Sequence, residues 1–271
     1  MRIEFKISED TFRADTSEGI SIAIPLDFSG PQPNSFGVPP ARGEVYRAGS
    51  FIGDTRQGGS CNCETYTVTP HCNGTHTECA GHITLDRESI SRHAPLGILP
   101  AYLHSVRLQS AGETRESYTP PLESGDMVVS LASLEPLSQL DRGWLEALAI
   151  RTVPNTPAKK SRNYAEEPAP FLTNEAMQFI FDLGVKHLLI DLPSVDRAND
   201  QGMLSNHRIF WGVAAGQKEV RDEIALKKTI TELIYVPDTL RDGPYLLDLQ
   251  IAPFESDAAP SRPIFYSVES P

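Results

Sequence analysis

The stretch from Thr173 to Ile190 constrains the fold more tightly than any other part of this chain. Thr173 can cap a helix in which Ala176, Phe179, Ile180 and Leu183 recur at the i, i+3, i+4, i+7 spacing, and Gly184 sits where such a helix ends. Val185 to Ile190 continues as an apolar strand, and Leu145 to Arg151 offers another before it. Strand, helix, strand is a βαβ unit, so part of the sheet is parallel and covered by helices. Ligands in such sheets sit beyond the carboxyl ends of strands, which places Asp191-Leu192-Pro193-Ser194-Val195-Asp196 near a pocket.

A chain of 271 residues can bury a sizeable core, and the reading is a single α/β domain over 1–271 with a mixed sheet. Residues 1–60, rich in Gly, Pro and Ser, read as irregular amino-terminal strands and a lid, with strand-like pieces at Ile3 to Ile7 and Ile20 to Ile24. Gly59 to Thr69 and Met127 to Leu131 are further strand candidates, and Asn155 to Pro170 reads as a long surface loop. With 24 basic against 36 acidic residues the formal charge is -12, which repels phosphate backbones and anionic lipid and argues against nucleic-acid and membrane-surface roles. The amino terminus lacks a signal pattern, and no apolar run approaches the roughly eighteen residues of a membrane span. All four cysteines fall between 61 and 79, unlike a secreted disulfide framework. A cytoplasmic protein is expected.

The chemistry is concentrated in Thr69 to Cys79 and the Ala80-Gly81-His82 that follows. If the back half of this run is extended, His76, Glu78 and His82 share a face. Imidazole and carboxylate together suit zinc, manganese or iron, and a neighbouring His can act as base toward water. His76 and Glu78 form the best ligand pair; His82 is either a further ligand or the proton acceptor. His71 precedes His76 by five residues, so it converges only if Asn73-Gly74 bends the strand. Cys61 and Cys63 read as buried, inert thiols, while Cys79, next to Glu78, is a candidate reactive thiol. Asp191 or Ser194 could orient a ligand imidazole, Asp196 caps a turn, and Trp144, Trp211 and Tyr235 belong to the core.

The order Gly74-Thr75-His76-x-Glu78-x-x-x-His82, then Ile190 to Asp196, then His207, then Ile230-Thr231-Glu232-Leu233 resembles the Putative cyclase family, which includes bacterial kynurenine formamidases and isatin hydrolases. The resemblance covers about residues 60 to 265. It implies a swivelling β/β/α fold, a homo-oligomer, and a metal-dependent hydrolase of small-molecule amides, acting through water activated by zinc or manganese. In family members the motif reads His-x-Gly-Thr-His-x-Asp-x-x-x-His. Carried onto this chain, His71, His76 and Glu78 bind metal, His82 is catalytic, and His207 and Glu232 are the distal ligands. Three departures stand out: one extra residue between His71 and His76, Glu78 where the family has Asp, and a longer stretch around Ala214 to Leu226. Glu219 is a fallback carboxylate, though Lys218-Glu219-Val220-Arg221 reads as a solvated charged helix face. The competing readings are a metal-free binding or regulatory protein and a cysteine hydrolase built on Cys79.

Overall fold

The alternation of side chains along β-strands organises this molecule into an inside and an outside. The computed structural model describes residues 1–269. Its principal strands are Arg2–Ile7 (β1), Asp10–Asp15 (β2), His76–Glu78 (β3), Ile98–Arg107 (β4), Ala147–Val153 (β5), His187–Ile190 (β6), Thr229–Glu232 (β7), Gly243–Ile251 (β8) and Ala258–Glu269 (β9). Strands β4, β5, β6 and β7 run parallel, β8 and β9 extend them antiparallel from β4, and the three-residue β3 pairs antiparallel with both β7 and β9. That double pairing closes a mixed seven-strand barrel, while the β1–β2 hairpin hangs from the far end of β9.

Parity along the strands separates two cores. Ala101, Leu103, Ala147, Ala149, Leu189, Leu247, Leu249 and Phe265 pack together inside the barrel. Leu148, Ile150, Leu188, Ile190 and Ile230 face the other way and meet Ala176, Met177 and Ile180 of one helix and Phe210 and Trp211 at the end of another. The helices that matter for the site are Pro70–Asn73 (α1), Asn174–Asp182 (α2) and Ser205–Phe210 (α3).

The βαβ unit is present as β5, α2 and β6. The Thr173 hydroxyl accepts a hydrogen bond from Ala176 N at 3.1 Å, and Gly184 ends the helix with φ +81, a conformation that costs glycine little. Within the amino-terminal 60 residues, Ile3 to Ile7 lies within β1, but Ile20 to Ile24 yields only the two-residue strand Ile20–Ser21 against β9. Glu64–Thr67 is a strand, yet it pairs with Arg42–Val45 outside the barrel and is exposed. Met127–Val129 forms a small separate sheet with Gln109–Ser110 and Phe171–Leu172. Among the described residues no helix is long and apolar enough to cross a membrane.

Leu189 is fully buried in the barrel interior. Leu189→Ala should lower unfolding stability by roughly 2–5 kcal/mol, read from the midpoint of a denaturant melt at unchanged slope.

Candidate metal centre

The seam that closes the barrel also gathers the polar cluster. Register sets His76 opposite Glu232 on one side and Pro260 on the other, and Glu78 opposite Ile230 and Ala258. Because Ile230 belongs to the helix-side core, His76, Glu78 and Glu232 all project toward the helices. Thr77, between them, turns the other way and hydrogen-bonds the Thr231 hydroxyl at 2.8 Å. Thr75 pins the strand entrance: its hydroxyl donates to Leu233 O at 2.5 Å and accepts from Ile24 N at 2.8 Å.

His71 arrives by a route the sequence reading did not foresee. It sits in the helical turn α1, opened by Pro70 and secured by Asn73, whose side-chain oxygen accepts from Thr69 N at 2.7 Å. A helical turn takes up the extra residue before His76 without a strand bulge. His82 also leaves the strand: Ala80–His82 is a 3-10 turn, so it reaches the cluster by curling back rather than by strand alternation. Gly81 permits that turn, since a Cβ there would lie 2.0 Å from the Glu88 carbonyl oxygen. The rings of His71 and His82 stand 4.3 Å apart, and those of His82 and His207 5.4 Å.

His207 comes from α3, whose start is capped by Asp196. That carboxylate accepts from Asn206 N at 2.8 Å, from His207 N at 3.2 Å and from the His207 ring Nδ1 at 2.5 Å, and Tyr118 donates to it at 2.8 Å. Glu232 accepts from Val195 N at 2.9 Å. Asp257, just before β9, brings its Oδ2 to 2.9 Å from His71 Nε2 and 3.3 Å from His82 Nδ1.

These bonds decide which ring nitrogens face inward. His76 Nδ1 lies 2.9 Å from Gly74 O, an acceptor only, so Nδ1 carries the proton and Nε2 is left bare. Nε2 is buried, 3.5 Å from Glu232, with no hydrogen bond. His207 Nε2 and His71 Nδ1 each come to 2.9 Å from a Glu78 oxygen, but without hydrogen-bond alignment, so both Glu78 oxygens lie buried and unpartnered. Lone pairs converge there, and a positive charge must sit among them.

Protons on the neighbouring imidazoles are one source of that charge. Burial opposes ionisation of His71, but hydrogen bonding to Asp257 and the Glu78 carboxylate prevail and push it up to about 10. Burial likewise opposes His207, yet Glu78 and Asp196 hold it well above the ordinary imidazole value. Glu78 is fully buried, which favours its neutral form, but His82 and His207 outweigh this and keep it well below the usual carboxylate range. Hydrogen bonds from His71 and His82 pull Asp257 down against its burial.

His71, His76, Glu78, His82, His207 and Glu232 therefore meet in one place, with donor atoms of three overlapping triads, two containing Glu78 and one containing Asp257, lying within 4.8 Å of one another. Asp191 and Ser194 make no hydrogen bond with an imidazole. Asp191 accepts from Lys159 Nζ at 2.7 Å and from Thr152 N at 2.9 Å, anchoring the 155–170 loop, and Ser194 accepts from Asp196 N at 3.1 Å. The orienting carboxylate is Asp196, which, rather than capping the turn that follows it, accepts from the first-turn amides of α3 and from the His207 ring. Asp257 was missed, because nothing in its local sequence links it to histidines 175 and 186 positions away.

Cys79 is buried, donates to Glu88 O, and has its thiol pushed up to about 12 by burial, so it lacks thiolate character at neutral pH. Cys61 and Cys63 are exposed rather than buried, because the loop before Glu64–Thr67 lies on the surface. Glu219 is exposed in a loop without helix and stays outside the cluster. Trp144, Trp211 and Tyr235 are buried as expected.

A closed mixed barrel with helices on one side and a histidine–carboxylate seam whose donor atoms could hold a cation defines an α/β protein. The family model described as Putative cyclase matches residues 20–197. The kynurenine formamidase of Bacillus cytotoxicus is 25% identical over 213 residues, 77% of this chain and 81% of that protein. Among solved structures, isatin hydrolase A from Ralstonia solanacearum superposes with a TM-score of 0.59 at 14% identity, covering 92% of this chain and 91% of that one. A predicted metal-dependent hydrolase from Bacillus stearothermophilus gives 0.56 at 13% identity, covering 92% and 98%. The chain belongs to the Putative cyclase family.

Removing the Lys159 charge strands Asp191 in the interior. Lys159→Met should cost about 3–5 kcal/mol of stability by denaturant melt while leaving the affinity of the seam for divalent cations unchanged.

Proposed function

We propose that this chain is a metal-dependent hydrolase of small-molecule amides, cleaving an arylformamide or a cyclic amide. The observation that carries this reading is the inward convergence of the bare His76 Nε2 and the two unpartnered Glu78 oxygens, all buried. Those atoms fit a divalent cation in place of the protons that the metal-free cluster retains. The donor set of imidazole and carboxylate, with no thiolate, suits zinc or manganese. His71, His76, Glu78, His207 and Glu232 would hold the ion, and Asp196 and Gly74 O fix the rings of His207 and His76 by binding their Nδ1–H groups. When bound, such an ion supplies acidity to water and stabilisation to a developing oxyanion.

The rest of the chemistry belongs to the chain. His76 and His207 side chains are 0% and 2% exposed, whereas that of His82 is 27% exposed at the rim, where it can touch a substrate. His82 takes a proton from the attacking water and returns it to the leaving nitrogen. Kinship with the kynurenine formamidase favours an amide substrate carrying an aromatic ring.

The test is metal content by elemental analysis together with turnover on a panel of arylformamides and cyclic amides. His82→Ala should retain metal and lose about 10²- to 10⁴-fold in kcat, whereas His76→Ala and Glu78→Ala should lose metal and activity together. Wild-type protein that neither takes up zinc or manganese nor cleaves any member of the panel refutes the proposal. Because His71, pushed up to about 10, and His207, held well above the ordinary imidazole value, keep protons that an ion must displace, apparent zinc affinity should rise with pH up to about 10, with proton release. Competition against a chromophoric chelator measures it, and a flat profile counts against these ligands.

A further inference from the structure

Asp257 stands outside the family motif, and its chemistry is not explained by the ligand set above. It lies just before β9, 175 residues from His82, and is locked in place by backbone bonds on either side: Cys79 N donates to Asp257 O at 3.0 Å, and Ile90 N donates to Ser256 O at 2.8 Å. The strand that carries Glu78 therefore also fixes the position of the Asp257 carboxylate. One of its oxygens, Oδ2, touches two imidazoles, His71 at Nε2 and His82 at Nδ1. The other is 3.4 Å from the Ser256 hydroxyl. The Asp257 side chain is 22% exposed, and those of His71 and His82 are 24% and 27% exposed, so the trio forms the rim of the cluster rather than its floor.

We propose that Asp257 is a positioning residue that sets the orientation of His71 and His82 at once, holding the Nε2–H of His71 and the Nδ1–H of His82 so that His71 Nδ1, whose proton an ion would displace, faces the Glu78 cluster and His82 Nε2 is left to accept a proton from the reacting water. A carboxylate accepts only, so each ring nitrogen facing it must carry its proton, and the opposite nitrogen of a neutral ring is then free to bind or to take up a proton. For His71 the nitrogen that gives up its proton to an ion is Nδ1, which lies 2.9 Å from Glu78 Oε2. For His82 the free nitrogen is Nε2, the atom that accepts the proton of water in the reaction above. Without Asp257, His82 loses its hydrogen-bonded anchor and both tautomers become available, so part of the population presents an N–H where an acceptor is required. This inference rests on the proposed role of His82, but its signature in the rings does not require turnover.

The experiment uses the full chain labelled with 15N at histidine, with zinc and without it, alongside steady-state kinetics at saturating zinc. In the wild type the neutral His82 ring should show Nδ1 protonated and Nε2 unprotonated, and Asp257→Asn and Asp257→Ala should both shift it toward the opposite tautomer. Asp257→Asn, which preserves side-chain shape, should reduce kcat by about 10- to 100-fold with KM within about twofold and an unchanged melting temperature. Asp257→Glu, which restores the charge, should recover part of that loss. A wild-type His82 ring protonated on Nε2 overturns the proposal without any variant. So does an Asp257→Asn protein with unaltered rings and unaltered kcat. Absence of wild-type zinc binding or hydrolysis would instead defeat the functional reading, leaving the ring spectra to decide the role of Asp257.

Discussion

Glu78 carries its charge with a side chain only 1% exposed, and the arrangement of the seam follows from making that tolerable. An isolated buried carboxylate costs several kcal/mol and would shed its charge by taking up a proton. Here His71, His82 and His207 approach it from a helical turn, a 3-10 turn and a helix. The three residues of β3 bear little apolar packing of their own. They are held by paired backbones on both sides and by the hydroxyls of Thr75 and Thr77, so the charged side chains do not have to stabilise the strand they sit on.

The same seam grades exposure across the cluster. His76, His207 and Glu78 are buried, where low polarity strengthens electrostatic interactions among them. His71, His82 and Asp257 lie at the rim and are partly exposed. Asp196 ties this gradient to the fold, because the carboxylate that accepts from the first-turn amides of α3 also grips the His207 ring. The departures from the family motif settle into the same geometry. The residue added before His76 becomes part of α1, and the Glu78 carboxylate comes to 2.9 Å from both His71 Nδ1 and His207 Nε2.

Local patterns exposed the βαβ unit well, since helix periodicity, a threonine cap and a terminal glycine are all properties of neighbouring residues. The β5 and β6 boundaries nevertheless moved by two residues, as expected where packing rather than propensity ends a strand. The prediction that His76 and Glu78 share a face also rested on local geometry, and the register of β3 realises it. The extended path drawn through His82 failed, because the close approach of Gly81 to the Glu88 backbone turns the chain after Cys79. Asp191 looked like a ligand-orienting residue from its place after a strand. Its actual partner, Lys159, lies 32 residues earlier on a returning loop that spacing alone could not position.

The sequence by itself determined the class of layer, the concentration of imidazole and carboxylate before β4, and the kinship of the motif, because each depends on residue type and short spacing. Only the tertiary structure decided which nitrogen of each histidine faces inward, that Asp196 rather than Asp191 steadies His207, and that Asp257 joins the cluster at all. Those choices depend on hydrogen bonds between segments that touch only after β3 slots between β7 and β9. Barrel closure is a long-range event, and the one-dimensional order of residues does not carry its register.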